Sequence, residues 1–264
     1  MADFSAKDVQ RLRQISGAGM MDAKKALVEN DGDFDEAAKW LRERGLAKVQ
    51  SRSDRENSEG LVAVLVDRGV AAAVELKCET DFVAKSDRFI AMGEELVALV
   101  AADGVDAVAA RASELEDMQI TLKENIELGR VVRFDGDGED GIEAYVHLQN
   151  GRGVNAVLVR LGGGSAEQAR DIAMHAAFTR PKYIRRDEVP ADLIEAERDT
   201  LLTLSRNEGK PEQALEKIVD GRMNGWFKEH TLLEQKWVKD DKQTIQSLLG
   251  DADIVEFCQI EIGS

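Results

Sequence analysis

One pattern constrains this chain more than any other: a pair of β-rich runs followed by a helix, written twice. Leu61 to Val66 and Val70 to Cys78 are joined by Asp67-Arg68-Gly69, and Ile142 to Leu148 and Val154 to Leu161 bracket Asn150-Gly151. Short apolar runs around such turn residues predict antiparallel hairpins. Behind the first hairpin, Phe82 to Ala102 places Phe89, Leu96 and Val100 on one helical face, and further helical material extends to Leu128. Behind the second, Gly162-Gly163-Gly164 leads into a helix from about Ala166 to Phe178. A strand near Arg130 to Phe134 and an alternating strand from Ile254 to Ile262 complete the β material. The recurrence predicts an α+β fold with two related halves.

The flanking segments are helical. Ser5 can cap a first helix with Val9, Leu12 and Ile15 on one face, ended by Gly17-Ala18-Gly19. A second runs from about Met20 to Asn30, with Met20, Ala23 and Leu27 on one stripe. Asp33 and Glu36 form a capping-box pattern for a third, expected to end near Gly45. Lys48 to Glu59 is polar and reads as a linker or an exposed helix extension. Pro190 opens a helix to about Asn207, Gly209-Lys210-Pro211 turns the chain, and a second helix runs to about Asn224. A loop is expected around Lys236-Trp237. The expected units are 1–47 (three helices), 48–60 (linker), 61–140 (first half) and 141–264 (second half, with a helical hairpin at about 190–225).

Charge narrows the function classes. The net charge is -16, so phosphate backbones and anionic membranes are poor partners, and a protein with complementary charge is a better one. Two cysteines, Cys78 and Cys258, cannot build a disulfide framework, and the Met1 end does not read as a signal peptide. A cytoplasmic protein without a membrane span is expected. Gly209-Lys210 is followed by Pro211, which lacks the hydroxyl and the N–H of a phosphate loop. His147, His175 and His230 are scattered, with no zinc-binding or serine-nucleophile motif. No catalytic residue, metal or cofactor is therefore expected.

Two segments stand out. In Leu12 to Leu27, a turn between helices carries Met20-Met21, which cannot both face one small core; exposed methionine is adaptable contact surface. In Glu75 to Lys85, a strand ends and a helix begins, with Thr80 as a cap and Asp81 and Phe82 in the first turn. An aromatic at that corner is either a wedge into a partner or an anchor under the helix, and pattern alone favours the anchor.

Together these two segments resemble the paired signatures of the elongation factor Ts family, bacterial guanine-nucleotide exchange factors for elongation factor Tu. Ile172 to Ala177, Gly221-Arg222-Met223 and the closing strand extend the resemblance over the chain. Lys77 and Lys236 depart from it, standing where many relatives have Asn and Pro. The resemblance implies a ubiquitin-associated-like (UBA-like) three-helix N-terminal domain and two related α+β core subdomains, one interrupted by the helical hairpin. It implies a non-enzymatic factor that binds GDP-bound and nucleotide-free elongation factor Tu and contacts neither nucleic acid nor membrane. Thr80, Asp81, Phe82 and Val83 would disturb the partner's magnesium site and so promote GDP release. Arg13, Met20, Met21 and His175 would dock on the same partner. With that, the preference at Phe82 shifts from anchor to wedge.

Overall fold

The structure is a computed structural model and describes residues 4–50 and 52–264, so Met1 to Asp3 and Ser51, which lies inside the expected linker, fall outside the described residues. Helices α1 (Ala6–Ser16), α2 (Met20–Glu29) and α3 (Phe34–Gln50) open the chain. Ser5 and Asp8 form a reciprocal capping box at α1, and the Asp33 carboxylate accepts the Asp35 and Glu36 N–H groups, both at 3.0 Å, at the start of α3. Val9, Leu12, Ala23, Ala26, Leu27, Ala37 and Leu41 make their common core. Ile15 and Met20, expected on the buried stripes, are exposed instead, because helices this short bury only a narrow strip against two neighbours.

Gly45 does not end α3. The helix continues to Gln50, and Gly45 is where it crosses Ile120; an added Cβ would sit 2.9 Å from that side chain. The glycine serves close helix approach, where a sequence reading sees a stop signal.

Strand β1 (Glu59–Asp67) pairs antiparallel with β2 (Val70–Cys78), through a turn in which Arg68 (φ 45°) and Gly69 (φ 79°) are left-handed. The helix expected from Phe82 is two helices, α4 (Asp81–Ala84) and α5 (Asp87–Asp103), because the chain breaks at Lys85 and Ser86 starts the second. A 3-10 turn and α6 (Ala112–Leu122) follow; helix ends there, six residues before Leu128, and β3 (Glu127–Asp135) already includes Leu128. β3 pairs with β2, giving the order β1-β2-β3.

The second half repeats the plan. β4 (Gly141–Gln149) and β5 (Arg152–Gly162) form a hairpin whose Asn150 (φ 53°) and Gly151 (φ 80°) are again both left-handed, the geometry a two-residue turn needs. Helix α7 (Ala166–Thr179) packs on that sheet. Helices α8 (Ala191–Asn207) and α9 (Leu215–His230) form the helical hairpin. α9 runs six residues past the expected Asn224, and in that last stretch Trp226 stacks on His230 at 4.4 Å. The expected loop at Lys236-Trp237 is a small ribbon of β6 (Lys236–Trp237) and β7 (Asp240–Thr244). Apart from Trp237, its strand residues are polar and lack the alternation that announces a strand. A short α10 (Ile245–Leu249) and β8 (Asp253–Glu261) finish the chain, with β8 on β5 in the order β4-β5-β8.

The central strands explain the layering. On β2, Ala71 and Ala73 face one way, and Ala72, Val74 and Leu76 face α5 and α6. On β5, Ala156 and Leu158 face one way, and Val157, Val159 and Leu161 face α7 and α10. Ala71, Ala73, Ala156 and Leu158 meet in one cluster with Val62, Ile142 and Cys258. The two sheets therefore pack face to face with helices outside both, an α+β fold in four layers. No helix among the described residues is long and apolar enough to cross a membrane.

Candidate functional site: an exposed aromatic on a held corner

β2 ends at Cys78 and the chain turns at Glu79-Thr80 into α4. Thr80 is extended (φ -125°, ψ 150°), and its Oγ1 accepts the Val83 N–H at 3.4 Å. Ala84 is fully buried and Val83 packs beside it on the core under the sheet, which fixes the rotation of this one-turn helix. Phe82 is then directed outwards and is 83% exposed. The anchor reading from pattern fails because Ala84 and Val83 already occupy the inward positions. Lys85 hydrogen-bonds Asp81 and holds its carboxyl below the usual carboxylate range. The tip thus presents an apolar ring beside an ionised carboxylate.

What holds the corner comes from far along the chain. One oxygen of Glu124 accepts the N–H groups of both Glu79 and Thr80, each at 3.1 Å, and the other accepts the Thr80 hydroxyl. In return the Glu79 carboxylate accepts the Asn125 N–H at 2.6 Å. The Asn125 amide donates to the carbonyls of Ser53 (3.3 Å) and Arg55 (2.8 Å), tying in the chain that leads to β1. Burial, then the nearby Glu124, push the Cys78 thiol up to about 12, so it is no nucleophile at neutral pH.

The second expected segment lies on the other side of the same post. Arg13, Met20 and Met21 are exposed, Met21 by 74%, around the turn between α1 and α2. Gly17 in that turn meets Thr121, where an added Cβ would come within 3.1 Å. Gly19 and Asp22 share with Lys123 and Ile120 the wall of a small cleft of about 130 Å³. Residues Thr121 to Asn125 therefore touch both segments. Sequence reasoning missed Glu124 and Asn125: 44 residues separate Glu124 from Thr80, and no local period marks a residue that acts across such a gap.

His175 is placed differently from the expectation. Its ring is wholly buried within α7, so it is not part of the free chain's surface, unlike Arg13, Met20 and Met21. Its Nδ1 accepts the Val238 N–H at 3.3 Å, so the proton sits on Nε2, which donates to the Gln235 Oε1 at 2.9 Å. The residue fastens the β6–β7 ribbon to α7. Burial, opposed by the Gln235 bond, lowers its pKa. Below about pH 6.5 the unfolded chain takes a proton there and the folded chain does not, so stability falls by up to about 1.4 kcal/mol per pH unit until the folded pKa is reached. His175→Leu is expected to be less stable at pH 7.5 but to lose less between about pH 6.5 and 5. Denaturant titrations across that range measure it, and an unchanged slope would contradict the assignment.

Among the described residues no His, Cys, Asp or Glu side chains are grouped to hold a metal ion. Residues 79–264 match the family model described as Elongation factor TS. Over its full length the chain is 44% identical to the Elongation factor Ts of Clavibacter michiganensis, across all of that protein. It is 45% identical to that of Saccharopolyspora erythraea and 42% identical to that of Thermobifida fusca, each covered to 99%.

Proposed function

The chain belongs to the elongation factor Ts family, a family of translation elongation factors, and from that premise we propose that it binds elongation factor Tu and promotes release of its GDP. The exposed Phe82 on a corner held by Glu124 is the observation that carries this reading. Thr80 and Val83 set the corner, and Asp81 and Phe82 are its working end. The ring enters between helices of the partner's nucleotide domain and displaces what positions magnesium there. Magnesium offsets phosphate charge, so its loss weakens the nucleotide's hold. Arg13, Met20 and Met21 dock the three-helix unit, residues 1–47, on the same domain, and the half that carries the helical hairpin engages the partner elsewhere. His175 contributes by keeping the 235–238 segment in place.

Such a factor performs no covalent chemistry and needs no cofactor. Binding is linked: if this chain weakens GDP binding, GDP weakens this chain's binding by the same factor. It therefore speeds exchange in the cytoplasm and leaves the final ratio of GDP to GTP complexes to their concentrations. The test is release of fluorescent GDP from elongation factor Tu. Acceleration by substoichiometric chain is expected, and a release rate independent of the chain would overturn the proposal.

A further inference from the structure

Val83 and Ala84 fix the rotation of α4, but the bend at Glu79-Thr80 that aims it is held largely from outside the segment. α4 is one turn long, too short to be stable by itself. Its cap bond from Val83 to Thr80 is long, at 3.4 Å. Phe82 contributes nothing to holding it, being 83% exposed. Three donors at the bend, the Glu79 and Thr80 N–H groups and the Thr80 hydroxyl, converge instead on one half-buried carboxylate, that of Glu124. Glu124 in turn sits next to Lys123, which ends α6 in a left-handed conformation (φ 62°). A lysine pays a conformational cost there, and the surrounding structure must over-determine it. The bend aims Glu124 at Thr80, while Thr121 on the same short stretch abuts Gly17 of the N-terminal unit.

We infer that Glu124 is the positioning residue for Phe82, fixing the direction of the ring and its distance from the Met20-Met21 surface through the Thr121–Asn125 post. This rests on the exchange-factor reading above. Glu124 does not touch the partner in this scheme; it acts through Thr80. Misplacing a reacting or wedging group by about 1 Å can cost about a hundredfold in rate. The carboxylate therefore governs the rate of release once the complex has formed, while the methionine surface governs how readily it forms.

Two variants separate this from a general structural role. Glu124→Ala removes all three contacts. Glu124→Gln can keep them, its Oε1 accepting the two N–H groups and its amide donating to Thr80 Oγ1. Glu124→Ala is expected to lower the maximal GDP-release rate from elongation factor Tu by about tenfold or more, with the concentration for half-maximal rate little changed. Glu124→Gln should restore most of the rate. In a Phe82→Ala background, Glu124→Ala should cause much less further loss, because the ring it positions is gone and only Asp81 remains at the tip. Hydrogen exchange of the free chain supplies a readout independent of the partner: the amides of Glu79, Thr80 and Val83 should exchange faster in Glu124→Ala, with the sheets and the N-terminal unit unchanged. If Glu124→Ala unfolds, Glu124→Asp, which withdraws the same charge by one methylene, is measured in its place and should fall between the two. A full additional loss in the Phe82→Ala background overturns the inference, as does an unchanged rate in Glu124→Ala. Wild-type chain that fails to accelerate release overturns the exchange reading itself, and the exchange rates at Glu79 and Thr80 still report whether Glu124 holds the corner.

Discussion

Phe82→Ala is expected to slow GDP release from elongation factor Tu by about tenfold to a hundredfold and to leave the melting of the chain unmoved. The two halves of that result have separate causes. The ring is 83% exposed, so truncating it removes almost no folded-state contact. In the complex proposed above the same ring would be buried, and full burial of a phenylalanine contributes roughly 1.5–3 kcal/mol. If that energy is realised as the nucleotide site opens, it appears in the rate of release, at about 1.4 kcal/mol per factor of ten. Stopped-flow release with saturating chain measures the first half and calorimetry the second. A variant that releases GDP as fast as the parent would remove Phe82 from the mechanism; one that melts early would mean that the ring is a core residue after all.

Leu27→Ala is expected to unfold the N-terminal unit alone. Leu27 is wholly buried in a core of short side chains, three of them alanines, from Val9 to Leu41. Truncating a buried leucine costs about 2–5 kcal/mol, and so small a core rarely supplies more than about 3–5 kcal/mol. The face-to-face sheets, which share no side chain with this cluster, should keep their stability. Amide exchange should show protection lost from α1 to α3 and kept in β2 and β5. In release assays the concentration for half-maximal rate should rise by more than the maximal rate falls, because docking is lost while Phe82 stays in place. Loss of protection in β5 would show that the two parts unfold as one.

The hairpins were legible because their information is local. Asn150-Gly151 and Arg68-Gly69 supply the left-handed turn residues, and the flanking runs supply apolar side chains. The helix faces of Phe89, Leu96 and Val100 were legible for the same reason, and all three are fully buried. What was not legible depends on distant partners. β3 and β8 each add to a strand far back in sequence, and nothing in either strand names that neighbour. Gly45 reads as a stop until Ile120 is seen beside it. The outward Phe82 follows from Ala84 and Val83 having filled the inward positions, a competition that spacing cannot arbitrate. Glu124 is one carboxylate among 51 acidic residues, and only the three donors around it distinguish it.

The face-to-face packing of the sheets has a consequence for the kinship of the two halves. Each half carries a complete hairpin, a third strand and a covering helix, so its pattern reads as self-sufficient. Yet Ala71, Ala73 and Phe134 of one sheet complete their burial only against Ala144, Ala156 and Leu158 of the other. Alanines at the seam let the layers approach, and they leave little side chain with which either layer could collapse onto itself. Resemblance between the halves is therefore not autonomy. A newly synthesised first half has an apolar sheet face without a mate until the β4–β5 hairpin, residues 141–162, has been made, and β8 (Asp253–Glu261) then completes the facing sheet on β5.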